Sequence, residues 1–280
     1  MILTFTEKII NIFFEVDELL KKLGHKDHYH SMISDSEIIT LMVFKVHLTI
    51  KSEKAFHQLI NERFKDLFPK FPEYSRYLKR IKNCGYMSYK LIEELSFKER
   101  DDLYIIDTKP IPILERARAN RSILVKIFNQ WRIEPNYGYC SARQMKYFGF
   151  KLVCLWNKGK IVAYTLVNAN ASEQECLMKL VEITNLRNIN IFGDKGFILN
   201  INDKKELSKR NILVEAIPRK NMKVIVENLG YKKYKRKGIE SCFSILRDFD
   251  IERLTFRSIF GLISNINQRI LAYNLRDKVI

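Results

Sequence analysis

Histidine is the first scarcity. The chain has five, all at or before His57, and the 223 residues that follow contain none. A Ser-His-Asp or Cys-His site in that stretch is excluded, because such nucleophiles need an imidazole base. Cysteine is equally thin. The five residues, at 84, 140, 154, 176 and 242, are scattered, odd in number and without a CxxC. That pattern reads as buried thiols in a reducing compartment. With 10 Gly and 6 Pro in 280 residues, little room is left for low complexity or long flexible linkers. There is no Gly-rich phosphate loop of the Walker type, no dinucleotide fingerprint and no repeat of about 20–50 residues. Long apolar runs are missing too. The best, Ile38 to Ile50, has 13 residues and carries Lys45 and His47, so no membrane span is expected. Glu7, Glu15, Asp17 and Glu18 exclude a secretory signal at the amino terminus. The expected location is the cytoplasm.

What is present is core-forming and basic. Hydrophobic residues make up 46% of the chain, with 18 Phe and 13 Tyr, enough for a real core in one large domain or two. The formal charge of +17 is uneven. Residues 109–151 hold nine Lys or Arg against two acids, and residues 204–237 hold twelve against three, so these segments carry all but one of the net charges. Concentrated cations point to a polyanion, since Lys and Arg contacts to phosphate dominate nucleic-acid affinity. In "YKKYKRKG" (231–238), Tyr231 and Tyr234 alternate with the cations, and such rings can stack on exposed bases.

Residues 1–100 read as helices. Ile9, Phe13, Val16, Leu20 and Leu23 form one apolar stripe that Gly24 stops. Ser34 and Glu37 make a capping box for a second helix, and Ser52 starts a third with Phe56, Leu59, Ile60, Phe64 and Leu67 inward. "EYSRYLKRIKNCG" and "SYKLIEELSF" read as two short helices, the first basic through Arg76, Lys79, Arg80 and Lys82. Such a module can read DNA in the helix-turn-helix manner. His25, His28 and His30 fit no zinc-finger spacing and read as loop residues.

After Arg100 strands begin. "DLYIIDT" is a strand ending in Asp107, and residues 148–170 are a hairpin around the loop "NKGK". A helix capped by Ser172, the strand "NINIFGD", a helix, the strand "NILVEAI" and a helix beginning near Gly238 follow. That order predicts an α/β mixed sheet flanked by helices, ribonuclease-H-like, with a basic insert at about 109–148. The expected domains are 1–100, all-helical, and 101–280, sheet-bearing.

With histidine absent, catalysis in this half falls to carboxylates, lysines or metals. Asp107 and Asp194 end strands, and Glu240 lies in the first turn of the last of these helices. Neighbouring parallel strands bring their carboxyl ends together, where open α/β sheets bind ligands. Converging acids repel unless cations neutralise them, and Mg²⁺ prefers oxygen ligands. Each acid also has a plainer reading: Asp107 and Asp194 as turn residues, Glu240 as a charge on the helix dipole.

"IIDTKPI", "FGFKL", "FGDKGF", "IPRKNMK" and "RKGIESCFSILRDF", in this order, resemble bacterial insertion-sequence transposases of the Asp-Asp-Glu type, most closely the insertion-sequence 982 family. The resemblance runs from the amino-terminal helices to "LAYNL". It implies Asp107, Asp194 and Glu240 as catalytic and metal-holding residues, with Mg²⁺ as the cofactor and Mn²⁺ able to substitute. Related enzymes place an Arg four residues before the Glu, here Arg236, and a Lys seven after it, here Arg247. Their Tyr seven residues before the Glu is replaced by Lys233, and a His after the "GFKL" motif by Val153.

The implied partner is double-stranded DNA, both the terminal inverted repeats and the target, with a homodimer pairing two ends near the bacterial nucleoid. Lys195, Arg236, Arg247, Arg219, Lys220, Lys223, Arg116, Arg118 and Arg121 are then the expected phosphate contacts, with residues 1–100 on the repeats. Two other readings stay open: a DNA-binding protein without catalysis, and a nuclease or resolvase of the same fold.

Overall fold

A computed structural model describes residues 3–97, 101–114, 128, 135–140, 144–219, 221–222, 226–256 and 258–279. The chain divides into two compact units, Met1–Leu95 with Asp248–Ile251 and Thr255–Ile280, and Ser96–Arg247 with Glu252–Leu254. The closing segment, expected in the sheet-bearing domain, therefore groups with the amino-terminal helices. Eight α-helices and six strands lie among the described residues.

In the helical unit, side-chain caps start the helices where their short polar residues stand. Helix α1 (Phe5–Lys22) opens on a Thr4–Glu7 capping box, α2 (Asp35–His47) on Ser34–Glu37, and α3 (Glu53–Arg63) on Ser52. Gly24, at φ +66°, follows α1 in the left-handed conformation that stops a helix. The buried face of α1 is Ile9, Ile12, Val16, Leu19 and Leu20, so Phe13 and Leu23 of the expected stripe give way to Ile12 and Leu19. In α3 only Phe56 and Ile60 are buried, and Phe64 and Leu67 lie beyond its end.

The largest departure is α4. It runs unbroken over Tyr74–Phe97, through Cys84 and Gly85, where two short helices were expected. Gly85 is a place of close approach and not a stop. A Cβ there would lie 3.2 Å from the Ser264 hydroxyl, and its carbonyl accepts from the Asn267 amide at 3.1 Å. Both partners sit on the closing helix, which spans Ile259–Asn274 and is numbered α8 below. Helices α2 and α8 are buried around most of their circumference and pack on each other as the centre of this unit.

In the other unit, β1 (Leu103–Leu114), β2 (Asn136–Cys140), β3 (Met145–Asn157), β4 (Lys160–Asn168), β5 (Ile189–Gly193) and β6 (Ile212–Ala216) form one sheet. β1 pairs antiparallel with β3 and parallel with β5, which pairs parallel with β6. β4 and β2 pair antiparallel with β3, along different stretches of it. The order β4-β3-β1-β5-β6, with β3 reversed, is the expected ribonuclease-H-like arrangement. The β3–β4 loop is tighter than expected. Asn157 and Lys160 pair, leaving only Lys158 and Gly159 at the tip, both at positive φ as a type I′ turn requires.

Alternation along the strands sorts the two faces. Tyr104 and Ile106 of β1 with Val153 and Leu155 of β3 enter a core under α5 (Glu173–Ile183), whose Cys176, Leu177, Leu180 and Val181 are buried, and α6 (Ile201–Ser208), which adds Leu207. Asp107 and Lys109, with Trp156, face α7 (Leu229–Asp248) instead. α7 buries Ile239, Cys242 and Leu246 and begins nine residues earlier than Gly238. Gly238 lies inside it, against the Trp156 indole, where a Cβ would come within 2.3 Å of the ring. Helix propensity alone would make Gly238→Ala stabilising by about 1 kcal/mol. Overpacking against the indole costs roughly 1–3 kcal/mol and reverses that sign. Urea unfolding of Gly238→Ala should therefore show lost stability, and a gain would mean that α7 does not rest on Trp156.

Candidate active site

Asp107 is not at a strand end. β1 continues seven residues past it, and its Cα partner on β3 is Cys154. What stops near Asp107 is the parallel partner, since β1 pairs with β5 only from Leu103 to Ile105. The Asp107 carboxylate thus emerges where the sheet loses a neighbour, the opening that ligands use in such sheets. Its Oδ1 accepts the Thr108 N–H at 2.8 Å.

Asp194 directly follows β5. It caps a single 3-10 turn, Lys195–Phe197, its Oδ1 accepting the Lys195 N–H at 2.7 Å. The turn reading and the site reading are therefore compatible. The flanking glycines do not serve by positive φ, which among glycines is confined to Gly24 and Gly159. A Cβ on Gly193 would press to 2.7 Å from the Phe197 ring, and one on Gly196 to 2.7 Å from Glu173.

Glu240 is well inside α7, beyond its midpoint, so it is not a first-turn charge on the helix dipole. Its side chain is exposed and reaches back one turn to Arg236, at 2.9 Å from Nη1. The same guanidinium lies 3.3 Å from Asp107 Oδ2 and 3.8 Å from Asp194 Oδ2. The three acids singled out in the sequence thus converge on one cation, from three separate elements of the chain. Arg236, expected to meet DNA phosphate, is half-buried among carboxylates.

Sequence reasoning missed a fourth acid. Glu173, the first residue of α5, accepts from Thr108 Oγ1 at 3.1 Å and Lys151 Nζ at 3.3 Å, and its Oε2 is buried without a hydrogen-bond partner among the described residues. The available signal was its place beside the Ser172 cap, one residue too near a capping box to be read as anything else. Burial pushes the Asp107 carboxyl up to about 6. The Thr108 N–H and Arg236 oppose that rise, while Glu173 and Asp194 add to it.

Around Glu240 the solvent face of α7 is cationic. Lys233, Lys237 and Arg247 are exposed and fall on one stripe with Glu240 and Ser244 at helical spacing. A cavity of about 270 Å³ opens beside them, lined by Thr108, Phe243, Ser244 and Arg247 among others. Lys195 and Arg219 are also exposed. Arg116, Arg118, Arg121, Lys220 and Lys223 lie outside the described residues.

The residues suit a divalent cation. Carboxylate oxygens are the donors that hard ions take, and three of them already surround a cationic group. In this arrangement Asp107, Asp194 and Glu240 do not form a closed ligand set. Among the described residues, the group of His, Cys, Asp or Glu whose ligand atoms all lie within 4.8 Å of one another is His25, Asp27 and Asp35, in the helical unit. That group is satisfied internally. His25 Nε2 lies 2.8 Å from Asp35 Oδ2, Arg80 donates to Asp35 Oδ1 at 2.7 Å, and Asp27 accepts the Asp35 N–H at 2.7 Å. His25 is thus part of a polar network, whereas His28 and His30 are exposed loop residues as expected. Arg80, expected on a base-reading helix, belongs to the same network and turns inward.

Residues 85–275 match the family model of the transposase DDE domain. The chain belongs to that family. It is a transposase of the Asp-Asp-Glu type, and such enzymes use divalent metal ions. No curated protein matches the sequence. Among solved structures, the chain is similar to one described as a pre-cleavage Mos1 transpososome, at 10% identity over 91% of this chain and 80% of that one. Its TM-score is 0.24, too low for the likeness to carry weight. Among the described residues of the transposase, no helix is long and apolar enough to cross a membrane.

The raised Asp107 gives the metal-free transposase a pH signature. In the unfolded chain an Asp titrates near 3.9, while in the fold this one holds its proton to about 6. Between these values the folded state binds more protons, so stability falls as pH rises through the window and levels off above it. Asp107→Asn removes the effect. In EDTA, the stability of Asp107→Asn relative to wild type should grow from pH 4 to pH 7, by about 3 kcal/mol at most. Urea midpoints at several pH values measure it, and a difference constant with pH would refute the burial argument.

Proposed function

We propose that Asp107, Asp194 and Glu240 are the three carboxylates of this transposase, and that they hold Mg²⁺, with Mn²⁺ able to substitute. The observation that carries the reading is their convergence on one guanidinium from β1, the β5 end and α7. The reaction is hydrolysis of the phosphodiester at each end of an insertion sequence, followed by joining of the freed 3′-hydroxyl to target DNA. When bound, the divalent ions lower the pKa of the attacking water or 3′-hydroxyl and stabilise the leaving oxygen.

The protein's own part is placement. Backbone N–H groups fix one oxygen each of Asp107 and Asp194, leaving the other toward the site. α7 carries Glu240 on a regular helix, so its reach is set by the seat of that helix on Trp156. Lys233, Lys237 and Arg247 flank Glu240 and are suited to backbone phosphates, which position DNA without reading its sequence. The exposed Lys195 and Arg219, and by their charge Arg116, Arg118, Arg121, Lys220 and Lys223, are further phosphate contacts in this reading. The partner is double-stranded DNA, with the helical unit on the terminal inverted repeats and a homodimer holding two ends. The short motifs favour the insertion-sequence 982 family within the larger family, and a cytoplasmic site near the bacterial nucleoid.

Two measurements test this. Protein incubated with Mg²⁺ and labelled terminal repeats should yield cleaved and then joined products. Cleavage without joining would mean a nuclease or resolvase, and no product at all a DNA-binding protein. Asp107→Asn, Asp194→Asn and Glu240→Gln should each lower cleavage by roughly 10²–10³-fold or more while still binding the repeats, and any variant near wild type removes its residue from the site. In the second, Lys233, Lys237 and Arg247 are together changed to Gln. The fall of log K with log salt should become shallower by up to about 0.9 for each phosphate that is no longer neutralised, on repeat and random duplexes alike. An unchanged slope would place these cations away from DNA.

A further inference from the structure

We propose that Arg236 is a resident counter-ion of the acid cluster, displaced when a divalent cation loads and then received by a DNA phosphate, so that metal and DNA bind cooperatively. The inference rests on the reading that Asp107, Asp194 and Glu240 hold the metal, and it adds what keeps them together before the metal arrives.

The guanidinium contacts Asp107 Oδ2, Asp194 Oδ2 and Glu240 Oε1 at 3.3, 3.8 and 2.9 Å. Those are the same oxygens a hard cation would take. A guanidinium and a divalent ion repel, so both do not occupy this spot, and loading requires the arginine to leave. Its hold is uneven. The closest contact is to Glu240 on its own helix, the contact to Asp194 is long, and its Nε is buried without a hydrogen-bond partner among the described residues. A side chain seated this way keeps three anions from driving one another apart, while its Nε has no hydrogen bond among the described residues to break when it moves.

Its destination is near. Arg236 lies one turn after Lys233 and beside Lys237, both exposed on the cationic face of α7. A duplex backbone on that face would bring a phosphate within reach, and a guanidinium binds phosphate through two parallel hydrogen bonds. Removing the competing cation then favours metal binding, and by reciprocity metal favours DNA. Arg236 is thus a positioning residue that acts through the three carboxylates.

The test is Mn²⁺ titration calorimetry on the full chain, with and without a random-sequence duplex lacking element ends. Arg236→Met keeps the length of the side chain and removes the charge, and Arg236→Lys keeps a charge. Without DNA, Arg236→Met should bind Mn²⁺ about tenfold tighter than wild type, a scale usual for coupled sites, and Arg236→Lys should stay near wild type. The metal-free Arg236→Met protein should melt at a lower temperature, and Mn²⁺ should restore it.

In wild type the duplex should tighten Mn²⁺ binding by about the same factor, and in Arg236→Met that gain should largely vanish. A purely structural arginine predicts the opposite sign, weaker Mn²⁺ binding in Arg236→Met, and that result overturns the proposal. If Arg236→Met does not fold without metal, the wild-type linkage decides: Mn²⁺ affinity indifferent to duplex refutes it. Asp194→Asn separates the two levels. If it binds Mn²⁺ like wild type, the acids are not the metal site. If it loses Mn²⁺ while Arg236→Met matches wild type, only the role of Arg236 falls.

Discussion

A carboxylate placed inside a sheet needs a counter-charge, and the sheet-bearing unit is arranged around that need at Asp107. The acid sits on β1 where β5 no longer pairs with it, with most of its side chain withdrawn from water. Desolvation alone favours its neutral form, and Glu173 and Asp194 push in the same direction. One peptide N–H and one guanidinium oppose them. Without Arg236, Asp107, Asp194 and Glu240 would lose the cation they share, and Lys151 would answer only Glu173.

α7 supplies that counter-charge, and its seat is therefore as consequential as its charges. Gly238 lets the helix backbone lie against Trp156, which sets the height of Arg236 on one side and Glu240 on the other. Two further ties hold its amino-terminal half. Lys232 pairs with Glu215 on β6, and Lys235 Nζ lies 2.9 Å from Asp101 Oδ2 just before β1. Further along, Lys109 of β1 pairs with Glu252 at 2.6 Å and lies over the Phe243 ring. A helix so fastened presents its remaining cations, Lys233, Lys237 and Arg247, in a fixed row. Glu240, its partner Arg236 and these exposed cations thus share one helix, which holds a constellation more closely than a loop would.

The helical unit follows a different logic. Its polar network of His25, Asp27, Asp35 and Arg80 closes the entrance to α2, with Cys84 donating to Asp35 at 3.2 Å. Each oxygen of Asp35 already has a partner, so the cluster reads as a structural joint between α1, α2 and α4. Among its surface cations, Arg76 and Lys79 on α4 remain exposed.

The local determinants were legible residue by residue. Ser34, Ser52 and Ser172 begin helices because a side-chain oxygen next to a free N–H acts over three residues. The strand–hairpin–helix–strand order and the ribonuclease-H-like class could likewise be read from the order of the elements, and motif order singles out the three acids that meet on Arg236. Quantities that depend on a distant partner were not. Gly85 looked like a stop, because nothing in its neighbourhood shows Ser264 packed against it. Asp107 looked like a strand end, because the loss of a parallel neighbour and the end of a strand are identical in one dimension. That Arg236 meets three acids was not visible, because net charge per segment records that a cation exists and not what lies beside it. Capping, turns and apolar spacing are interactions within a few residues, so the sequence alone determined them. The pairing of one guanidinium with three acids from three elements is decided by which surfaces bury each other, and only the tertiary structure settles that.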